Sequence, residues 1–400
     1  MEKALVDLIK ISNTVGKDSG LVQAGGGNTS AKTADGKYMY INASGTTLKD
    51  MSKQAGWRRV RLDTVLGIIR DRQLAKLETC AREREVINRL LLACDDNTKT
   101  GGRPSVEAHL HAMLDKYVVH LHPLVIGAYV NSRKGREQFE KLFQNEKFPP
   151  LWVPYADPGF MLAKKIARLV AGYQKQYGRN PAVMVAAKHG LFVTAATADA
   201  ALRRVHKVIR VCSSKLREPK ACIRKRPDWE AIIKAKLAIR RAIFDATGQY
   251  LPVHYVPATG PVAAFMARKD APRLLATAAM NPAELVYANG PAMWLESCDV
   301  RTATRKLNAL VGKGRKPPVA FIVSRLGLFI AADKKTSAVA AEVTVASLLV
   351  RTYAAKFGGV LALTKRQQDF INDWESEVLR KELASIPSVD RIVESVKAIV

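Results

Sequence analysis

The stretch PSVEAHLHAMLDKYVVHLHP, residues 104–123, couples a helical pattern to a short apolar strand and governs how the chain is understood. Pro104 suits a helix opening, with Ser105 near its start, and YVVHLHP reads as a strand stopped by Pro123. His120 and His122 stand two apart in that strand, so both imidazoles project from one face. Two imidazoles among Val and Leu cost desolvation unless a partner satisfies them, and a divalent cation would do so. His189, just before Gly190 at a turn, supplies a third candidate ligand. Three protein ligands leave a coordination position open, as catalytic zinc sites require. Alone, the HxH spacing fits hydrogen-bonded core histidines as well. Glu107 has two readings of the same kind: a charge favoured by the helix dipole, or a base beside the cation. His109 and His111 are expected to be structural, and His206 and His254 to be ordinary surface or core residues.

The remaining chain sets the context. Its 400 residues exceed what one core usually serves, so two domains are expected. The divisions expected are a catalytic domain over 1–215, a basic linker over 216–228 and a second domain over 229–400. No apolar run approaches the roughly 20 residues of a bilayer span. Five scattered cysteines fit neither a disulfide framework nor a thiolate metal site, and a reducing, cytoplasmic setting is expected. The balance of 64 Lys+Arg against 36 Asp+Glu gives +28, but the basic residues are dispersed with few aromatics among them. That pattern reads first as a solvated basic surface, then as attraction for anionic metabolites, and least as a nucleic-acid site.

Two glycine turns suit an anion. GGGNTS (25–30) offers open backbone N–H groups with the side chains of Asn28, Thr29 and Ser30, and NASGTT (42–47) adds Ser44, Gly45, Thr46 and Thr47. Neither is a Walker A loop nor a dinucleotide fingerprint. KHGLFVTAATADAALRRVHKVIRVC resembles the later RLGLFIAADKKTSAVAAEVTVASLLV, and YINASG (40–45) echoes YVPATG (255–260). The second half is therefore expected to be a degenerate copy of the first, with Leu326 where His189 stands.

Taken in order, GGGNTSAK, YINASGTTLKDM, PSVEAHLHAML, VVHLHP, VPYADPG and KHGLFV resemble the class II aldolase/adducin family over about residues 5–212. NPAELVYANGP and the last long helical segment look most like the aldolase portion of rhamnulose-1-phosphate aldolase/dehydrogenase fusion proteins. The resemblance implies an α/β fold, a three-layer α/β/α sandwich on a largely antiparallel sheet. It implies a zinc ion, or another divalent metal, on His120, His122 and His189, with Glu107 as catalytic acid/base. Gly27, Asn28, Ser44, Gly45 and Ser105 match phosphate-contacting positions. The activity implied is a carbon–carbon lyase cleaving a ketose 1-phosphate through a metal-stabilised enediolate. The expected partners are a small phosphorylated sugar and further copies of the chain in a homo-oligomer, with neither membrane nor nucleic acid. A 4-epimerase or dehydratase of the same superfamily, or a non-catalytic adducin-like module, are the alternatives. Tyr155 of VPYADPG is a candidate proton donor, with packing the simpler role.

Overall fold

The computed structural model describes residues 2–96, 102–216 and 228–374. They divide into two compact units, the first over residues 2–216 with 356–361 and 373–374, the second over 228–355 with 362–372. Apart from its end residues, the basic stretch 216–228 lies outside the described residues. The four described cysteines are all free thiols, and Cys222 lies outside the described residues.

The first unit runs α1 (Lys3–Gly16), β1 (Asn28–Lys32), β2 (Tyr38–Asn42), β3 (Trp57–Arg61), α2 (Leu62–Arg70), α3 (Thr79–Ala93), α4 (Ala108–Ala112) and β4 (Tyr117–Leu121). It continues with α5 (Leu124–Val130), α6 (Gly135–Leu142), β5 (Leu151–Val153), α7 (Phe160–Tyr177), β6 (Val183–Ala186), β7 (Leu191–Ala195) and α8 (Ala198–Ser213). The seven strands form one sheet ordered β3-β2-β1-β4-β7-β6-β5, antiparallel throughout except for the β5–β6 pair. Helices cover both faces. Met39, Ile41, Val118, Met184 and Phe192 pack with α2, α3, α4 and α7 on one side, while α1 and α8 lie against β1, β4 and β7 on the other. The largely antiparallel sheet between helical layers expected from sequence is therefore present.

The period of two on β1 sorts its side chains between these layers. Thr29 faces α1, where its hydroxyl lies 2.6 Å from that of Ser12. Asn28, Ser30 and Lys32 face the α4 side. Ser30 Oγ is 2.9 Å from His111 Nδ1, and Lys32 Nζ donates to the carbonyls of His111, Leu114 and Asp115 at 3.0, 2.5 and 2.8 Å. Lys32 thus satisfies the orphan carbonyls where α4 ends, and burial pulls its amine down to about 8.

Two expectations need correction here. The helix expected from Pro104 begins only at Ala108, because Pro104 bridges Ala43 and Ser105 N donates to Asn42 O at 3.0 Å. Those pairings claim the backbone that a first helical turn would use. Thr29 and Ser30, expected in an open glycine turn, are strand residues whose hydroxyls are already engaged.

The second unit contains α9 (Trp229–Thr247), β8 (Val253–Pro257), α10 (Gly260–Met266), α11 (Ala271–Leu275), α12 (Pro282–Ala288), β9 (Met293–Leu295), α13 (Val300–Val311), β10 (Ala320–Val323), β11 (Gly327–Ala331) and α14 (Lys334–Ala354). Its sheet runs β8-β11-β10-β9, with β9–β10 parallel and the other pairs antiparallel. The order and sense of β4-β7-β6-β5 in the first unit are the same. Lys188 (φ 57°) and Arg325 (φ 66°) both occupy the left-handed region at the start of matching turns. His189 N donates to Ala186 O in one turn, and Leu326 N to Val323 O in the other. The YINASG/YVPATG echo is misplaced by this register, since β8 pairs with β11 as β4, not β2, pairs with β7.

Contrary to the sequence expectation, one described helix, Lys334–Phe357, is long and apolar enough to cross a membrane by length and composition. Much of that apolar surface is core: 56% of its most apolar window is buried, and Arg351 within it is fully buried against Glu284.

Candidate metal centre

The three candidate ligands meet at the ends of the two central strands of the first sheet. His120 stands opposite Asn28 of β1 and Phe192 of β7, His122 follows one residue past β4, and His189 precedes β7 in the tight turn. His120 Nε2 lies 3.0 Å from His122 Nε2 and 3.0 Å from His189 Nε2. His120 is buried, stacked on Phe192 at 3.9 Å between ring centroids and 12° between planes. Its Nδ1 lies 3.0 Å from Leu191 O. The carbonyl can only accept, so Nδ1 carries the proton and Nε2 presents a lone pair to the centre.

Glycine makes this convergence possible. A Cβ on Gly190 would lie 2.4 Å from Leu121 O and 2.6 Å from His122 Cδ2. One on Gly26 would lie 2.9 Å from His122 Nδ1, and one on Gly27, whose φ is +78°, would lie 2.6 Å from His120 O.

Glu107, at the N-cap position of α4, makes no capping bond with its side chain. The carboxylate instead turns to the histidines, with Oε2 3.4 Å from His120 Nε2 and Oε1 3.4 Å from His189 Nε2. Asn28 Nδ2 donates to Oε2 at 2.6 Å. Burial alone would raise the Glu107 carboxyl, but the adjoining His120 and His189 imidazoles and the hydrogen bond donated by Asn28 hold it well below the usual carboxylate range. The neighbouring His109 and His111, expected to be structural, are fully buried on α4. His109 stacks on Phe160 at 6.3 Å and His111 meets Ser30. Burial lowers their imidazoles to about 4 and about 3.

This donor set fits a divalent cation. Three imidazole nitrogens point at one another with little to share but lone pairs, and their 3.0 Å spacings are close to the roughly 3.3 Å edge of tetrahedral ligands at about 2.0–2.1 Å. Among the described residues these histidines form the cluster able to hold a metal.

The two glycine turns sit side by side next to this centre. A Cβ on Gly25 would meet Thr47 Cγ2 at 3.9 Å. Asn42 links the second turn to both β1 and the Glu107 segment, its Oδ1 accepting from Thr29 N at 3.2 Å and its carbonyl from Ser105 N at 3.0 Å. Ser44 N donates to Arg103 O at 2.8 Å, and Gly45 has φ +86°. The structure thus gathers Gly27, Asn28, Ser44, Gly45 and Ser105 near Glu107, although Asn28 spends its amide on that carboxylate. Tyr155 donates to Asp157 at 3.1 Å and lies under Lys188 Nζ at 5.3 Å. Sequence reasoning missed the Leu191 carbonyl, the Phe192 stack and the linking role of Asn42. The only advance signal was Gly190, placed directly after a histidine.

Residues 6–216, more than half of the sequence, match the family model described as Class II Aldolase and Adducin N-terminal domain, and the chain belongs to that family. It is 30% identical over 220 residues to the uncharacterized oxidoreductase YuxG of Bacillus subtilis (strain 168), a match covering 52% of this chain and 29% of that relative. The chain therefore spans less than a third of that protein's length. The N-terminal class II aldolase domain of a conserved protein from Thermoplasma acidophilum is 26% identical with a TM-score of 0.44, covering 54% of this chain and 95% of that one. L-fuculose 1-phosphate aldolase from Glaciozyma antarctica PI12 is 11% identical with a TM-score of 0.34, covering 53% and 72%.

Proposed function

We propose that this chain is a zinc-dependent class II aldolase that cleaves a ketose 1-phosphate of the rhamnulose 1-phosphate kind. One observation carries the proposal: the Glu107 carboxylate faces the same point on which three histidine nitrogens converge, 3.4 Å from two of them. Zinc is the metal named because three neutral imidazoles with an open position form its usual catalytic set. When bound, the cation supplies Lewis acidity toward a carbonyl and its neighbouring hydroxyl, lowering the cost of enediolate charge.

The chain's own groups do the rest. His120, held by Leu191 O, keeps its lone pair inward. Glu107 moves the proton at the reacting carbon. In cleavage Glu107 takes the proton of the hydroxyl whose carbon becomes the aldehyde, and that oxygen closes to a carbonyl as the carbon–carbon bond breaks. The bond's electron pair remains on the donor fragment as the enediolate, and Glu107 returns the proton to the donor carbon. Gly27, Asn28, Ser44, Gly45 and Ser105 form the phosphate end, through the glycine backbone N–H groups, the Asn28 amide and the serine hydroxyls. The phosphorylated sugar is the small-molecule partner, and the working form is a homo-oligomer.

The second unit is read as a degenerate copy that kept the scaffold. With Phe192 and Phe329 as the common register point, Tyr255, Pro257 and Leu326 hold the places of His120, His122 and His189. One site per chain follows.

Retro-aldol assay of the zinc-loaded protein tests the proposal. Release of dihydroxyacetone phosphate from L-rhamnulose 1-phosphate or L-fuculose 1-phosphate supports it. Epimer or dehydrated product without release would move the chain to the epimerase or dehydratase branch.

A further inference from the structure

Within the proposed aldolase reaction, on which this step rests, we infer that Asn42 is a positioning residue whose side chain couples the acid/base end of the site to the phosphate end. The β1–β2 register, Ser30–Ile41, Ala31–Tyr40 and Lys32–Met39, leads to Thr29 and Asn42 as its next pair. Alternate residues of an antiparallel strand direct their N–H groups at a given neighbour. Thr33 N donates to Tyr38 O at 2.9 Å, so Ala31 and then Thr29 face β2 in the same way. Thr29 N would therefore meet the Asn42 carbonyl. It meets Asn42 Oδ1 instead, at 3.2 Å. The carbonyl so released accepts from Ser105 N at 3.0 Å. One side-chain amide stands in for its own backbone and frees that backbone to hold the segment carrying the base.

The anchor lies two residues before Glu107. Ala108 N donates to Ser105 O at 3.0 Å and Glu107 N to Ser105 Oγ at 3.4 Å, so the turn that opens α4 is set from Ser105. From that turn the Glu107 carboxylate reaches Asn28 at 2.6 Å and two histidines at 3.4 Å. Toward the phosphate end, Ala43 bridges Pro104 and Ser44 N donates to Arg103 O at 2.8 Å. Asn42 is buried, and its Nδ2 makes only a long 3.5 Å contact with Ala43 O. The acceptor oxygen is thus the atom that matters. Without it, Thr29 N can reclaim the backbone carbonyl, and Ser105 N loses its acceptor.

The test is carbon–hydrogen exchange in deuterated water by the zinc-loaded enzyme, with dihydroxyacetone phosphate and unphosphorylated dihydroxyacetone as probes. In this step the C–H bond breaks, its electron pair forms the enediolate double bond, the carbonyl oxygen takes the charge, and Glu107 takes the proton. Asn42→Ala should slow exchange of both probes on the order of 100-fold, as a misplacement of about 1 Å does. It should also raise KM about tenfold for the phosphorylated probe alone, as loss of one hydrogen bond to a charged group does. Exchange of the unphosphorylated probe at the wild-type rate would overturn the coupling. A crystal structure of Asn42→Ala supplies a readout independent of activity. The carbonyl of residue 42 should turn to Thr29 N at about 2.9 Å and stand more than about 3.5 Å from Ser105 N; an unchanged Ser105 anchor would overturn the assignment. Asn42→Leu, close in size, repeats both measurements if the smaller side chain unfolds the unit. Failure of both variants to fold also counts against it, since Thr29 N has a carbonyl to return to. If the wild-type enzyme exchanges neither probe, the aldolase proposal fails, while the crystal structure still decides the role of Asn42.

Discussion

His120 donates from Nδ1 to the carbonyl of Leu191 at 3.0 Å, and this one bond turns the Nε2 lone pair of a strand histidine toward the candidate metal position. With the proton fixed on Nδ1, the Nε2 lone pair faces His122 and His189, and stacking on Phe192 holds the ring plane. A supporting bond of this kind both orients a metal-bound imidazole and raises its basicity.

The glycine beside this bond should be irreplaceable. In Gly190→Ala the new methyl would lie 2.4 Å from Leu121 O, 2.6 Å from His122 Cδ2 and 3.1 Å from His120 Cε1. Backbone cannot yield cheaply there, so the variant should lose about 1–3 kcal/mol of stability to overpacking. Zinc affinity should fall by about 10–100-fold as two ligand rings are displaced. Thermal melting and competition with a zinc chelator measure the two effects.

Acid should unfold the first unit by way of two histidines that the chemistry does not use. Burial lowers His109 to about 4 and His111 to about 3, against 6.5 unfolded. Between those values the unfolded chain binds the extra protons. Stability is therefore intact above about pH 6.5 and is lost as pH falls through the folded values. At about 1.4 kcal/mol per unit, crossing the window costs on the order of 3 kcal/mol for His109 and on the order of 5 kcal/mol for His111. Urea midpoints at about pH 7 and about pH 5 should differ strongly for the wild type, and much less for a His109→Leu/His111→Gln double variant.

In the second unit, Arg351 and Glu284 form a buried pair at 2.8 Å, with Arg351 also donating to the carbonyls of Leu274 at 2.8 Å and Ala278 at 3.2 Å. Glu284 further accepts from Met280 N at 2.7 Å. Arg351→Met should cost about 3–5 kcal/mol, because it strands a buried carboxylate. Adding Glu284→Met should recover part of that loss. Denaturant unfolding of both variants checks the order.

Much of the site was legible because strand geometry is local. His120 and His122, two apart in YVVHLHP, had to share a face, and the structure places both on one point with His189. What escaped was the choice between uses of one polar group. Thr29 and Ser30 look like phosphate donors in GGGNTS, yet alternation on β1 sends one to Ser12 and the other to His111. Asn28 carries the same ambiguity, its amide bonded to Glu107 from a segment 79 residues later. Pro104 marks a helix start in isolation, but a bridge to Ala43 delays the helix to Ala108. The two GLF segments both form the strand after a tight turn, β7 and β11. YINASG and YVPATG lie on strands in different places, β2 beside β1 and β3, and β8 beside β11.

The central claim is that His120, His122 and His189 hold one divalent ion per chain. Metal analysis of the full chain, purified without chelators and then equilibrated with zinc and desalted, measures it directly. The expected result is about one equivalent in the wild type and in Glu107→Gln, falling below about 0.2 in His120→Ala, His122→Ala or His189→Ala, since a site losing one of three ligands binds weakly. Wild-type protein holding less than about 0.2 equivalents, or histidine variants that retain the wild-type content, would contradict it.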